Sequence, residues 1–180
     1  MKRFTMAATM LAAALSVTLS AQKVTPLKTG SGGSPHVRTE ATVDGANISI
    51  EYGRPMLKGR TPGKDIDPFE GKEWRTGADE QTTLKTDKPL KIGALSVPAG
   101  TYGLHTIPVN GTWQLIVSKR ASGWGIPYPK GQDLGRVPMT MAKTAAPVEQ
   151  LTISIDDTSA GGTLSVEWAG TRASVPFTVS

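Results

Sequence analysis

The sequence predicts an all-β protein: a single antiparallel β-sandwich of about nine or ten strands, jelly-roll or immunoglobulin-like, with one long irregular loop. Three observations predict it. Short runs alternate apolar and polar residues with the period of two that a half-buried strand requires, and turn dipeptides separate them. No segment beyond residue 21 keeps the apolar stripe of a helix over three turns.

Taken in chain order, Lys2 and Arg3 lead into an apolar run from Met6 to Leu19 that closes on Ser20 and Ala21. This is the pattern of a secretory signal peptide over residues 1–21, cut after Ala21 or Ser20, and it points to a periplasmic or extracellular protein. The run is shorter than a membrane-crossing helix and no second one follows, so no membrane span is expected; with no Cys at the junction, neither is a lipid anchor. Residues 22–36 are rich in Lys, Thr, Gly, Ser and Pro and end in Gly30-Ser-Gly-Gly-Ser-Pro35, the composition of a flexible linker. The folded domain is then expected over 37–180.

Within it, Val37 to Val43 and Asn47 to Tyr52 flank Asp44-Gly45, with Ile48, Ile50 and Tyr52 on one face. Lys88 to Ile92 and Leu95 to Val97 flank Gly93-Ala94. Thr101 to Ile107 and Thr112 to Ser118 flank Asn110-Gly111, a dipeptide suited to the positive φ angles of a tight hairpin. Val137, Met139 and Met141 alternate, as do Leu151, Ile153 and Ile155; Leu164, Val166 and Trp168 follow, and Ala169-Gly170 reads as the turn before Val175, Phe177 and Val179. The segment between Tyr52 and Thr82 is broken by Pro55, Gly59, Pro62, Gly63, Pro68 and Gly71, and Met56, Phe69 and Trp74 are expected to pack it down.

Composition excludes several function classes. The chain has no Cys, so neither disulfides nor a thiolate metal site can hold it and the fold rests on an apolar core. The formal charge is +5, and without residues 1–21 it is +3, 18 cations against 15 acids. With no extended basic block, nucleic acid is not an expected partner. His36 falls in the expected linker, leaving His105 as the single His of the domain, so zinc is disfavoured; Asp65, Asp67, Glu70, Asp156 and Asp157 do not complete a calcium loop. No metal or cofactor is expected.

The candidate site centres on Gly71 to Leu84, where Trp74 stands beside Arg75, Asp79 and Glu80. One reading is a recess floored by the indole, with Arg75 free for a planar contact to an anion and the acids accepting hydroxyls. The other is a structural corner in which Trp74 packs and Arg75 pairs with Asp79 or Glu80. Arg54, Lys58 and Arg60 put three cations in one Pro- and Gly-punctuated turn that either collects an anion or pairs with nearby acids. Trp124 and Tyr128, in Gly123-Trp-Gly-Ile-Pro-Tyr-Pro129, either stack on a sugar or protein or cap the core. Tyr52 completes the candidate ligand-binding set with His105. On a regular strand Asp79 and Glu80 face opposite sides, so a hydrolase using either one needs a distant second acid, such as Glu51 or Glu167.

Glu51 to Arg60, Gly71 to Glu80, Pro98 to Tyr102 with Ile107-Pro108, and Trp113 to Lys119 followed by Gly123-Trp-Gly125 resemble the exported bacterial domain of unknown function 2911. The resemblance covers about residues 34–179 and implies an address and boundaries, with no assigned activity. This chain departs from that pattern with Asp79 for a usual Asn, Gln81 for a usual Ala and His105 for a usual Phe. An acid at 79 adds a charge and removes two donors, so no fixed hydrogen-bonding role is expected there.

Three functions are therefore carried forward. The first is a non-catalytic binding module for an anionic or carbohydrate-type small molecule or glycan. The second is a hydrolase of envelope or polysaccharide material using Glu80 or Asp79, a second acid and His105. The third is an envelope-protein interaction module that pairs through an uncovered strand edge.

Overall fold

The protein is described from a computed structural model covering residues 22–180; the expected leader, 1–21, lies outside the described residues. Among the described residues eleven strands form, and no helix: β1 (Lys23–Thr29), β2 (Pro35–Val43), β3 (Ala46–Gly53), β4 (Ala78–Thr86), β5 (Leu90–Ile92), β6 (Leu95–Val97), β7 (Gly100–Val109), β8 (Thr112–Ser118), β9 (Asp133–Pro138), β10 (Thr140–Thr158) and β11 (Gly161–Val179). They build two antiparallel sheets, one ordered β1-β2-β3-β4-β7-β8-β9 and one ordered β10-β11-β5-β6. Among the described residues no helix is long and apolar enough to cross a membrane.

Turn chemistry sets the hairpins. Asp44 and Gly45 take φ of 47° and 72°, and Asn110 and Gly111 take 52° and 77°, the mirror-image turn that matches strand twist. The alternation then decides the faces. Val37, Thr39, Ala41 and Val43 of β2 and Ile48, Ile50 and Tyr52 of β3 point at the second sheet, where they meet Leu151, Ile153 and Ile155 of β10 and Leu164, Val166 and Trp168 of β11. Their partners in the alternation, His36, Arg38, Glu40, Asn47, Ser49 and Glu51, lie on the outer face of the large sheet.

Three features differ from the reading of the sequence. Residues 23–29 are not linker: they form an edge strand on β2, with a register shift between Pro26 and Lys28. Their strand faces are mostly exposed, so no apolar alternation announced them. Ala78 to Thr86 continues as a strand where an irregular stretch was expected up to Thr82. Ala169-Gly170 is no turn: β11 runs through it as one strand, with Ala169 at φ 51°, and the extra residues of the irregular pairing lie opposite, on β10 between Lys143 and Thr152.

The irregular segment 54–77 is tied down mainly by backbone. Leu57 N–H donates to the Glu149 carbonyl at 2.9 Å, and Leu151 N–H donates to the Pro55 carbonyl at 3.0 Å. Trp74 exchanges main-chain bonds with Thr106 at 2.8 and 2.9 Å, and its indole sits edge-on to Trp113 at 6.1 Å. Phe69 is half-buried, whereas Met56 is 40% exposed and does not pack the segment down as expected.

Candidate functional site

The expected site residues separate into four places. Trp74 and Tyr52 belong to the core at 3% exposure each, so the indole floors no recess; the Tyr52 hydroxyl is spent on the Ile153 backbone. Arg54 donates to the Leu151 carbonyl at 2.9 Å and to Thr152 Oγ1 at 3.0 Å. Arg60 donates to the Leu57 carbonyl at 3.0 Å and the Met56 carbonyl at 2.7 Å, while the Lys58 N–H donates to Glu149 Oε1 at 2.8 Å. The turn's two guanidiniums are thus engaged within the fold, mostly on main-chain carbonyls, and pair with none of the nearby acids.

Arg75 pairs with neither Asp79 nor Glu80. It donates to the Trp124 carbonyl at 3.0 Å and lies 4.9 Å from the centre of that ring, a cation-π contact on an indole that is 48% exposed. Trp124 therefore caps no core. The loop carrying it rests on β4: Gln81 N–H donates to the Gly123 carbonyl at 3.1 Å, Gln81 Nε2 to the Arg120 carbonyl at 2.7 Å, and Thr83 Oγ1 to the Ala121 carbonyl at 3.3 Å.

His105 is the third place. It faces outward from β7 but is sealed at 0% exposure, with Tyr128 edge-on at 5.0 Å and, among the described residues, no hydrogen-bond partner for either ring nitrogen. Tyr128 in turn donates to Asp133, whose other oxygen accepts from Arg136 at 2.8 Å. Burial pushes the His105 pKa down to about 4, against smaller opposing pulls from the Gly125 backbone and the charges of Asp133 and Glu73. A folded value below the usual 6.5 makes the fold favour the neutral ring, so stability is complete above that pH and falls as the pH drops towards 4. The loss is on the order of 3 kcal/mol. His105→Phe is expected to abolish this acid loss, so that the variant gains on the native chain in urea melts run from neutral pH to pH 4.

The fourth place gathers Asp79 and Glu80 around a residue that the sequence reading missed. His36 is not in a linker; it stands on β2 at 6% exposure, and its Nε2 lies 3.1 Å from Asp79 Oδ2 and 3.6 Å from Glu80 Oε2. Asp79 takes φ 62°, breaking the strand's alternation, which is why two adjacent acids reach the same imidazole. Asp79 Oδ1 also accepts from Ser31 Oγ and from the Gly32 N–H, both at 3.1 Å. Far from lacking a fixed role, Asp79 staples the Gly-rich turn to β4. Although burial alone raises its pKa, the bonds from His36, Gly32 and Ser31 outweigh it and hold the carboxyl below its usual range. A carboxylate only accepts, so Nε2 carries the proton.

Backbone approaches the pair closely. A Cβ on Gly53 would lie 2.3 Å from the Ala78 carbonyl oxygen and 2.8 Å from His36 Nε2. Gly53→Ala must move main chain, and a loss of about 1–3 kcal/mol is expected in the urea midpoint.

Glu80 Oε1 accepts from Lys28 Nζ at 2.6 Å, and that bond holds the Glu80 pKa below its usual value. Among the described residues, Glu80 Oε2 and Gln81 Oε1 are buried acceptors without a donor. Lys28, His36, Glu51, Glu80, Gln81 and Thr83, together with Leu27 and Tyr52, line a hollow of about 160 Å³ on the outer face. A larger hollow of about 530 Å³ lies further along that face and contains none of the expected site residues.

The arrangement constrains its chemistry. Asp79 stands between Ser31 and His36, whereas a nucleophilic serine needs the imidazole in the middle to take its proton. Ser31 is thus a tether and not a nucleophile. Among the described residues no group of three or more His, Asp or Glu is arranged to hold a metal ion.

Fold and site together define a two-sheet β-sandwich with a polar, hydrogen-bonding hollow on the outer face of its larger sheet. The chain belongs to the family described as protein of unknown function (DUF2911), whose model matches residues 34–177; β1 lies before the matched region. No curated protein and no solved structure matches the chain.

Proposed function

We propose that the protein is an exported, non-catalytic binding module whose ligand is a carbohydrate of the cell envelope or its surroundings. The observation that carries the reading is the outer-face hollow, which combines polar groups of both kinds and whose lining residue Gln81 is bonded to the loop that carries an exposed indole. Its lining mixes Lys28, Glu51, Glu80, Gln81 and Thr83, the paired donors and acceptors that ring hydroxyls use. Trp124 follows directly on Gly123, whose carbonyl is bonded to lining residue Gln81, and offers a flat apolar face. Carboxylates at the hollow, and guanidiniums engaged elsewhere, favour hydroxyls over an anion.

The Lys28–Glu80 pair is half-exposed, at 56% and 45%, so it contributes little to stability and opens easily for a ligand. A hydrolase reading draws on Glu51 and Glu80 lining one hollow, but glycoside cleavage needs one carboxyl kept protonated. Glu80 is shifted the opposite way, and Asp67, whose carboxyl burial raises, has its main-chain oxygen on Trp168 and does not line the hollow. His105, sealed under its loop, does not supply the acid.

Calorimetric titration with cello- and chito-oligosaccharides tests the proposal. Saturable binding is the expected result; no binding by either series overturns it.

A further inference from the structure

We infer that the ligand site is not a single-sugar pocket but one end of a straight groove along β2, β3 and β4, built for an extended, linear glycan of several units. The inference rests on the carbohydrate reading above and adds the shape and length of the ligand.

Register carries it. Arg38 lies opposite Glu51, which lies opposite Thr83; Glu40 lies opposite Ser49, which lies opposite Lys85; Thr42 lies opposite Asn47. All of these side chains share the outer face with His36, and none is apolar. The first row closes the smaller hollow, and the next rows, with Lys23 of β1 and Asp87 just past the end of β4, line the larger one. Only the row of Arg38, Glu51 and Thr83 separates the two hollows. A strand rises about 3.4 Å per residue, so the track from His36 to Thr42 runs about 20 Å. That is room for several linked rings.

The banks are continuous with the floor. β1 pairs along β2 from Lys23 opposite Glu40 to Thr29 opposite Pro35, so one strand borders both hollows. On the other side the loop holding Trp124 is fastened to Gln81 and Thr83 and stands at the His36 end alone. The groove therefore has an aromatic end, where a ring stacks, and a polar extension, where further units gain hydrogen bonds. A straight track suits a ribbon-like chain and not a coiled one.

The test is a chain-length series by calorimetry, from monosaccharide to hexasaccharide, with cello- and chito-oligosaccharides as extended probes and malto-oligosaccharides as the coiled control. Each net hydrogen bond adds about 1 kcal/mol, so one of the extended series should gain about tenfold or more in affinity from disaccharide to hexasaccharide. Ser49→Trp, filling the distal hollow, should cut the hexasaccharide back to disaccharide affinity and leave the disaccharide unchanged. Thermal melting of that variant checks that it folds, and Lys85→Ala, at an exposed position, should reduce the length gain if Ser49→Trp does not fold. Equal affinity at every length, or a length gain untouched by both variants, overturns the groove and spares the carbohydrate reading. Binding of no sugar overturns both.

Discussion

Asp79→Ala is expected to cost about 3 kcal/mol of folding stability, because it leaves a buried imidazole and a Gly-rich turn without their common acceptor. His36 Nε2, Ser31 Oγ and the Gly32 N–H all direct their protons at this one carboxylate. Asp79→Asn should lose less than about 1 kcal/mol, since the amide oxygen still accepts from the turn and the amide N–H can donate to His36 in its other tautomer. The pH dependence follows in sign. A carboxyl held below its usual 3.8 contributes stability that is complete above that pH and is lost as the pH falls through the lower folded value. The gap between native chain and Asp79→Ala should therefore narrow in strong acid, and urea midpoints at neutral pH and below pH 4 measure it. A gap that widens with acid would contradict the assignment.

Trp124→Ala is expected to reduce carbohydrate affinity by about ten- to a hundredfold while leaving the melting temperature nearly unchanged. The ring is 48% exposed and touches Arg75 from outside the core, so truncating it removes little buried surface. Its contribution arises only when a sugar ring covers its free face. Arg75→Ala should act in the same direction but less strongly, since the guanidinium positions the loop through the Trp124 carbonyl. Calorimetry gives the affinity and thermal melting gives the stability. A large fall in melting temperature with unchanged affinity would make Trp124 a structural residue after all.

The parts of the fold that were legible are those where one residue's chemistry decides the local structure. Ile48, Ile50 and Tyr52 alternate because one face of β3 is buried, and Asn110-Gly111 turns because both residues tolerate positive φ. β1 was not legible, since Lys23 to Thr29 shows no apolar face and only the neighbouring β2 makes it a strand. The same composition hid His36, whose Gly and Ser neighbours read as linker until Asp79 is seen to bind them.

The candidate site was legible in its residue types and less so in their assignments. Asp79 and Glu80 were singled out from the sequence and both lie beside His36, but strand parity set them on opposite sides, and the φ of 62° at a non-glycine residue is a tertiary decision. Arg54 and Arg60 read as cations for an anion or for nearby acids, because nothing in the sequence tells that carbonyls of Leu151, Leu57 and Met56 accept from them. Trp74 was expected either at a ligand or in a corner with Arg75 paired to Asp79 or Glu80; it is buried against Trp113, while Arg75 turns to Trp124 and pairs with neither acid.

The central claim is that the outer face between His36 and Trp124 is where the protein meets its ligand. Following backbone amide and indole chemical shifts during titration with cello- and chito-oligosaccharides tests it most directly. The account predicts progressive shifts at Lys28, Glu80, Gln81, Thr83 and the Trp124 indole, with the turn of Arg54, Lys58 and Arg60 silent. Shifts gathered at that turn, or along the exposed edge of β10, with the outer face unmoved, would contradict it.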